Sequence, residues 1–238
     1  YMLIVMGVQT LMTAMFNSMN AGIGNLVAEG DKRKIMSVFA ELFSIRFLFS
    51  CIMCFGVLMI TPAFVSFWIG KKYVMDSLSL LLMTAILFVN LSRTTVDAYI
   101  NAYGLFGDIW APIVEASLNV GLSIILGYYF GLHGVLSGVL ISLLLVVFCW
   151  KPYYLFRKGL DERLSIYIFM YARHLLAALL CGVIVCLGMR YSMVQGDTTF
   201  FDGLLGILVF SILSTLTLLC VAPGMRNLMR RFIRMCHV

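Results

Sequence analysis

Residues 35–60 read IMSVFAELFSIRFLFSCIMCFGVLMI, an apolar run in which Glu41 and Arg46 are the charged residues. A helix needs about 20 such residues to cross a bilayer. The rest of the chain follows the same pattern, since 62% of its 238 residues are apolar and 12% are charged. In soluble domains about 45–50% of the residues are apolar and about 25% are charged. A protein of this size cannot bury the excess apolar surface within itself. The sequence therefore predicts an all-α polytopic membrane protein, a bundle of about seven spans.

Seven segments are long enough to cross the membrane, and Gly, Pro or charged residues separate them. The predicted spans are Met2–Val27, Ile35–Ile60, Leu78–Tyr103, Ile109–Phe130, Val135–Trp150, Ser165–Met189 and Phe200–Val221. The predicted breaks include an outer loop at 62–70, a short turn at Gly131–Gly134 and a loop at Gln195–Asp197. The pairs Gly127/Gly131 and Gly134/Gly138 flank the short turn, which predicts close packing of the fourth and fifth spans.

The distribution of lysine and arginine predicts the orientation of the chain. If the break between the first and second spans, at residues 29–34, is cytoplasmic, eleven of these residues lie in inside loops or the tail and three lie in outside loops. The inside set is Lys32, Arg33, Lys34, Lys151, Arg157, Lys158, Arg163, Arg226, Arg230, Arg231 and Arg234, and the outside set is Lys71, Lys72 and Arg190. Short cytoplasmic loops are enriched in basic residues, so we expect a cytoplasmic C-terminus. The tail is either an ordinary basic stop or an amphipathic helix on the inner leaflet.

Polar residues recur at helical spacing inside three of the predicted spans. The stripes are Gln9, Thr13, Asn17, Asn20 and Gly24 in the first span, Asn90, Arg93, Thr94, Asp97 and Asn101 in the third, and Glu115, Asn119 and Ser123 in the fourth. A charge near the bilayer centre costs about 2.5–3.5 kcal/mol, so such residues face a partner or a hydrated cavity. We expect the three stripes to share one hydrated cleft.

The second span adds Glu41 and Arg46, which are five residues apart and therefore point about 140° away from each other. We expect each of them to contact another helix. Arg46 and Arg93 are both predicted near mid-membrane. A purely structural alternative is an intrahelical Arg93–Asp97 ion pair, together with asparagines that hold helices together.

The chemistry of these residues favours an amphipathic anion with a sugar part as the substrate. Arginine binds phosphate through paired hydrogen bonds and stays charged, which makes Arg46 and Arg93 candidate ligands. Asn17, Asn20 and Asn90 are suited to sugar hydroxyls. Asp97, Glu115 and Glu41 could carry protons or balance the arginines.

No metal, cofactor or enzymatic function is predicted. His133, His174 and His237 are not clustered in the sequence, and apolar residues surround the Cys51/Cys54 pair. The chain has no phosphate-binding loop and no nucleophile motif. A membrane-embedded glycosyl enzyme and a non-transporting scaffold remain as alternatives from other classes.

Several stretches resemble bacterial polysaccharide flippases, the O-antigen and capsule repeat-unit exporters of the multidrug/oligosaccharidyl-lipid/polysaccharide exporter superfamily. They are FNSMNAGIGNLVAEGD at 16–31 followed by a helix with Glu41 and Arg46, PAFVSFWIG at 62–70, and NAYG at 101–104 followed by Pro112, Glu115 and Asn119. The resemblance covers essentially the whole chain. It implies the second lobe of a MATE-like fold without its first helix, followed by two additional helices.

The resemblance implies five spans in residues 1–153, two more in 154–223, a basic cytoplasmic tail at 224–238, and a missing N-terminal lobe. The protein would lie in the bacterial inner membrane and flip polyprenyl-diphosphate-linked oligosaccharides by alternating access. Arg46 and Arg93 would hold the diphosphate, Asn17, Asn20 and Asn90 would contact sugars, and Asp97, Glu115 or Glu41 would couple a proton or balance charge. The partners would be this lipid-linked substrate and membrane lipids, with no nucleic acid. A multidrug antiporter for organic cations and a peptidoglycan-precursor flippase of the same superfamily remain open.

Overall fold

The structure, a computed structural model, describes residues 1–193 and 200–236, and every regular element in these ranges is helical. The helices are α1 (Met2–Glu29), α2 (Lys32–Trp68), α3 (Ser77–Ser92), α4 (Thr94–Ala102), α5 (Trp110–Leu143), α6 (Lys151–Leu155), α7 (Leu164–Met193), α8 (Phe200–Val221) and α9 (Pro223–Cys236). Short 3-10 turns lie at Lys71–Tyr73 and Phe106–Asp108, and π-helical stretches lie at Leu144–Trp150 and Phe156–Leu160. The predicted all-α class is confirmed. The predicted loop at Gln195–Asp197 and the side chain of His237 fall outside the described residues.

Six helical runs among the described residues are long and apolar enough to cross a membrane. They are Met2–Glu29, Lys32–Trp68, Ser77–Ala102, Trp110–Leu160, Leu164–Met189 and Asp202–Val221. The fourth run has 51 residues and would measure about 76 Å as a straight helix, whereas the hydrocarbon core is about 30 Å thick. Gly131 interrupts this run with φ 59° and ψ −136°, a conformation that glycine adopts without strain.

The chain reverses at Gly131 and forms a helical hairpin from α5a (110–130) and α5b (132–143). The Ser123 hydroxyl donates to the Val135 carbonyl across the hairpin at 3.3 Å. A Cβ at Gly134 would overlap the Leu126 carbonyl oxygen, and a Cβ at Gly138 would lie 2.6 Å from the Ser123 nitrogen. The predicted close packing at these glycines is therefore confirmed, and the described chain contains seven segments of membrane-crossing length.

The helices group into two compact units. Unit 1 contains residues 1, 36–74 and 168–238, and unit 2 contains residues 2–35 and 75–167. Two of the boundaries between the units fall inside α2 and α7, and another falls between residues 74 and 75, before α3. The division predicted from the sequence, after residues 153 and 223, stays a prediction.

The loops of unit 2 group at its two opposite ends. Lys32 forms an ion pair with Asp161 at 3.0 Å, and the rings of Trp110 and Trp150 lie 4.6 Å apart. A Cβ at Gly159 would lie 3.2 Å from the Leu105 side chain. These contacts bring residues 29–32, 103–109 and 157–163 to one end, which we name the basic end. Both ends of the 110–160 run approach it, so this run crosses unit 2 twice.

The opposite end of unit 2, the hairpin end, contains the α5 turn and the start of α3. Asp76 caps α3 by accepting a hydrogen bond from the Ser79 backbone N–H at 3.0 Å. The His133 Nε2 atom, in the turn, lies 2.8 Å from the same carboxylate. These hydrogen bonds, the one from His133 above all, hold the pKa of Asp76 below its ordinary value.

Unit 1 is built from α2, α7, α8 and α9. The rings of Phe55 and Phe210 stack at 4.3 Å between α2 and α8. A cluster of buried apolar residues joins all four helices and consists of Leu48, Ala177, Leu218, Ala222 and Met225. Met225 belongs to α9, so the tail is a helix that packs on the unit rather than an extended basic stop.

The prediction of an outer loop at 62–70 is wrong for residues 62–68, because α2 continues to Trp68. Pro62 lacks an N–H and removes one hydrogen bond from the ladder, but membrane helices tolerate such an interruption. The residues after it are mainly apolar, and the Ile69 N–H still donates to the Val65 carbonyl at 3.0 Å. The break begins at Gly70, whose φ of 112° ends the helix.

Candidate functional site

Four charged side chains of unit 2 form one connected cluster. The Arg93 Nε atom lies 3.2 Å from Asp97 Oδ2, and its Nη1 atom lies 3.5 Å from Glu115 Oε1. The Lys151 Nζ atom lies 2.7 Å from the second oxygen of Asp97. We name these four residues the charge cluster. It contains two cations and two carboxylates, so its formal charges cancel.

Local backbone structure positions the members of the charge cluster. Arg93 is the single residue between α3 and α4, and Asp97 follows one turn later on the same face. Lys151 comes directly after the π-helical stretch Leu144–Trp150 and directly before Pro152. Because Pro152 has no N–H, the regular α-helical ladder cannot continue there, and the wider π turns change the direction of the following side chains. Irregular helical turns of this kind are frequent at functional sites.

The charge cluster is half-buried within the packed helices of unit 2. The exposed fraction of the side chain is 29% for Arg93, 28% for Asp97, 21% for Glu115 and 16% for Lys151. Ionised groups in a membrane span are costly unless they are paired or hydrated, and here they are paired. An anionic ligand of Arg93 therefore has to compete with Asp97 and Glu115.

A pocket of about 360 Å³ adjoins the charge cluster. Asp97 and Lys151 line it, and the other lining residues are Ile100, Asn101, Leu105, Phe106, Ile109 and Pro112. Because residues 103–109 lie at the basic end, the pocket leads from the cluster to that end of unit 2. Its walls are mostly apolar with a few polar groups, a combination that suits an amphipathic ligand.

The second and third polar stripes meet, as expected from the sequence, because Arg93 contacts Glu115 as well as Asp97. Asn90 lies half-buried one turn before Arg93 and donates to the Ile86 carbonyl at 3.1 Å. Asn119 accepts a hydrogen bond from the Ser123 hydroxyl at 3.2 Å. The intrahelical Arg93–Asp97 pair, stated as the structural alternative, is present as part of this larger network.

The first stripe lies on the exposed side of α1 in unit 2. Thr13, Asn17 and Asn20 are exposed, whereas the packed side of α1 carries Met12, Phe16, Ile23 and Leu26. At 100° per residue, the polar stripe lies about 95° around the helix from the packed side. The Asn20 side-chain amide donates to the side-chain Oδ1 atom of Asn17 at 3.3 Å. Both asparagines thus present polar groups at the surface of unit 2, and their predicted contact with sugars stays a prediction.

In unit 1, the structure resolves the environment of Glu41 and Arg46. Glu41 is buried and lies 3.4 Å from the Arg231 Nε atom of α9, while the Ser37 hydroxyl donates to it at 3.2 Å. The prediction that Glu41 contacts another helix is confirmed. Arg46 is 2% exposed, so it lies inside the packed interior of unit 1 and not on an open cavity wall. Its predicted role as a substrate ligand stays a prediction.

His174 is the other buried polar centre of unit 1. Its Nδ1–H donates to the Met170 carbonyl at 2.7 Å, and its Nε2 atom lies 3.0 Å from the Ser44 hydroxyl. The rings of Phe43 and Phe47 enclose it edge-on. Within residues 1–193 and 200–236, no three His, Cys, Asp or Glu side chains come together as a metal-binding group.

Sequence reasoning missed Lys151, which it counted among the residues of a cytoplasmic loop. The structure places Lys151 at the start of α6, half-buried and paired with Asp97, so that interpretation is wrong. The loop begins only at Asp161, where φ is 55°. The available signal was the position of Lys151 between apolar segments and next to Pro152, but the 54 residues that separate it from Asp97 hide the pairing.

Fold and site together define the class of this chain as an all-α polytopic membrane protein with a paired charge cluster among its spans. This architecture is compatible with a transporter. No family model, curated protein or solved structure matches the chain.

Proposed function

We propose that the chain is part of a transporter that flips polyprenyl-diphosphate-linked oligosaccharides across the bacterial inner membrane, as the resemblance of its sequence implies. The observation that supports this proposal is the charge cluster of Arg93, Asp97, Glu115 and Lys151 beside a pocket that leads to the basic end. A structural bundle has little reason to maintain four ionised groups within its spans.

The proposed route of the substrate begins at the basic end of unit 2. Under the positive-inside rule this end faces the cytoplasm, where lipid-linked repeat units are assembled. The pocket would admit the diphosphate and the first sugar, with Asn101 available as a hydrogen-bond donor and acceptor. The polyprenyl tail would stay in the bilayer.

In this mechanism Arg93 and Lys151 exchange their carboxylate partners for the diphosphate. The substrate brings two negative charges, whereas the charge cluster is balanced before it binds. Protonation of Asp97 and Glu115 would leave the cluster with two positive charges that match the diphosphate. Substrate binding and proton uptake would therefore be coupled. On the other side, Asp97 and Glu115 would release the two protons to water, and the ionised carboxylates would return to Arg93 and Lys151 and release the substrate.

The remaining predicted ligands take secondary roles in the proposal. Asn17, Asn20 and Asn90 would bind sugar hydroxyls during passage. Arg46 would contact the diphosphate only in a conformation that exposes it, because it is buried in unit 1 here. Glu41, which is paired with Arg231, would balance charge in unit 1.

The test is complementation in a strain that lacks the protein, with surface polysaccharide as the readout. We expect Arg93→Ala and Lys151→Ala to abolish surface polysaccharide and to accumulate lipid-linked repeat units inside the cell. Lys72→Ala is the control, because Lys72 is exposed and lies outside the pocket and the charge cluster. All variants must reach equal levels in the membrane.

Normal polysaccharide from the Arg93→Ala/Lys151→Ala double variant would contradict the proposal and make the cluster structural. If deletion of the protein left polysaccharide intact but raised sensitivity to organic cations, the multidrug antiporter would replace the flippase.

A further inference from the structure

Arg173 in unit 1 is a half-buried arginine with no carboxylate partner among the described residues. It lies in α7, nine residues after Leu164, and its buried Nε atom makes no hydrogen bond. Its guanidinium group lies 5.8 Å from the centre of the Phe169 ring, one turn earlier. That cation–π contact does not neutralise the charge.

A second arginine approaches Arg173 from α9. Met225 packs in the same apolar cluster as Ala177, which lies one turn after Arg173 on α7. The next residue, Arg226, is exposed and close enough for its charge to repel that of Arg173. No Asp or Glu in the described part of the chain forms an ion pair with either arginine, whereas Arg231 of the same helix pairs with Glu41.

The pair of arginines borders the lipid-facing surface of unit 1. Phe169, Leu176 and Leu180 are strongly exposed apolar residues of α7, and Arg173 lies within about 60° of each of them around the helix. On α9, Arg226 likewise borders the exposed apolar residues Met229 and Ile233. The two arginines therefore adjoin an apolar surface on both of the helices that carry them.

The depth of α9 in the membrane places the two arginines near the lipid headgroups. One face of α9 carries Arg226, Arg230, Arg231 and Arg234, and a face with four arginines does not lie in hydrocarbon. Its opposite face packs on unit 1 through Met225 and Leu228. Such a helix lies along the membrane surface, and the long side chain of Arg173 can extend to the same level.

We infer that Arg173 and Arg226 bind the phosphate of an anionic phospholipid whose acyl chains lie on the apolar surface formed by α7 and α9. A phosphate between the two guanidinium groups offsets their repulsion and accepts hydrogen bonds from them. A lipid can pack its acyl chains against the neighbouring apolar side chains, whereas a free anion makes no such contact. The site therefore favours a lipid over a free anion. Basic pockets at the membrane surface between spans are typical sites for such headgroups. This site lies in unit 1 and does not depend on the proposed transport function.

The test measures binding of fluorescent phosphatidylglycerol to the purified full chain in neutral detergent micelles. We expect Arg173→Gln and Arg226→Gln each to weaken binding about fivefold, the factor that corresponds to about 1 kcal/mol for one arginine at a lipid headgroup. Arg234→Gln is the matched control on the same helix, because Arg234 is exposed and lies two turns beyond Arg226. Arg173→Lys retains the charge and keeps the experiment interpretable if Arg173→Gln fails to fold.

Competition identifies the ligand. Unlabelled phosphatidylglycerol should displace the probe, whereas phosphatidylcholine and inorganic phosphate should not. Equal displacement by phosphatidylcholine would overturn the inference, because the site would then not select an anionic lipid. Displacement by inorganic phosphate alone would assign the arginines to a free anion, and unchanged affinity in Arg226→Gln would remove α9 from the site.

Discussion

Asp97 is the residue on which the charge cluster depends, because its two oxygens bind two different cations. One oxygen faces Arg93 in its own helical run and the other faces Lys151 in α6. Removal of the Asp97 charge would leave a half-buried ammonium group without its described carboxylate, while Arg93 would retain Glu115. The cost of an orphaned charge in this setting lies between that of an exposed pair and that of a fully buried one.

We expect Asp97→Asn to lower the free energy of unfolding by about 2 kcal/mol, because Lys151 loses its counter-charge. Reversible unfolding in detergent micelles measures the change. The control is Asp161→Asn, which breaks the exposed pair with Lys32 and should cost much less, because water screens both charges.

A second substitution tests the mechanism of this loss. In Asp97→Asn/Lys151→Met the orphaned ammonium is absent, so the double variant should be more stable than Asp97→Asn alone. Strict additivity of the two single substitutions would show that Asp97 and Lys151 are not energetically coupled.

At the scale of elements, the hairpin of α5 depends on two helices that approach at backbone distance. Gly138 touches the Ser123 backbone, and Gly121 on the same hairpin has open space around it. The first glycine is therefore required for packing, whereas the second is not.

We expect Gly138→Ala to destabilise the protein by about 1–3 kcal/mol, because its methyl group meets backbone that cannot move aside. Thermal unfolding and the yield of folded protein are the measurements. Gly121→Ala should be neutral or slightly stabilising, because alanine favours a helix over glycine. Equal effects at the two positions would mean that α5a and α5b do not pack in this way.

The hairpin end also predicts a dependence of stability on pH. The lowered pKa of Asp76 means that its ionised form is favoured by folding, through the hydrogen bonds from His133 and Ser79. This stabilisation is complete above the unfolded pKa of about 3.9 and is lost as the pH falls toward the folded pKa. The stability advantage of the wild type over Asp76→Asn should therefore be larger at pH 5 than at pH 3. Thermal unfolding at the two pH values checks this, and an equal advantage at both would show that the carboxylate of Asp76 is not stabilised by these contacts.

At the scale of the whole molecule, the number of crossings decides which loops share a side of the membrane. Because the 110–160 run turns back at Gly131, the loops at 103–109 and 161–163 should both face the same side as residues 30–31. A single crossing of this run would place residues 161–163 on the opposite side.

Labelling with a membrane-impermeant thiol reagent tests the topology in a variant without its native cysteines. Cysteines introduced at Gly104 and Glu162 should react from the same side, and one at Lys72 from the opposite side. The positive-inside rule assigns the first two to the cytoplasm. Reaction of Gly104→Cys and Glu162→Cys from opposite sides would contradict the double crossing.

Local patterns predicted most of the fold, because the length of an apolar run and the spacing of polar residues are properties of one helix. The runs around α1, α3 and α8 and the turn at Gly131 were predicted in this way. The end of α2 was not, because proline usually marks a break in a soluble helix but does not stop a membrane helix. Of the candidate site, Arg93, Asp97 and Glu115 were found and Lys151 was missed.

The sequence by itself determined that the chain belongs in a membrane, where its spans lie and which of their faces are polar, since these depend on composition and on the 3.6-residue period of a helix. The tertiary structure alone decided the partners of the charges: Lys151 with Asp97, and Glu41 with Arg231. These residues are far apart in sequence, and no local propensity encodes which helix packs against which. The cost of an isolated charge in a membrane span requires that a partner exist, but packing selects that partner.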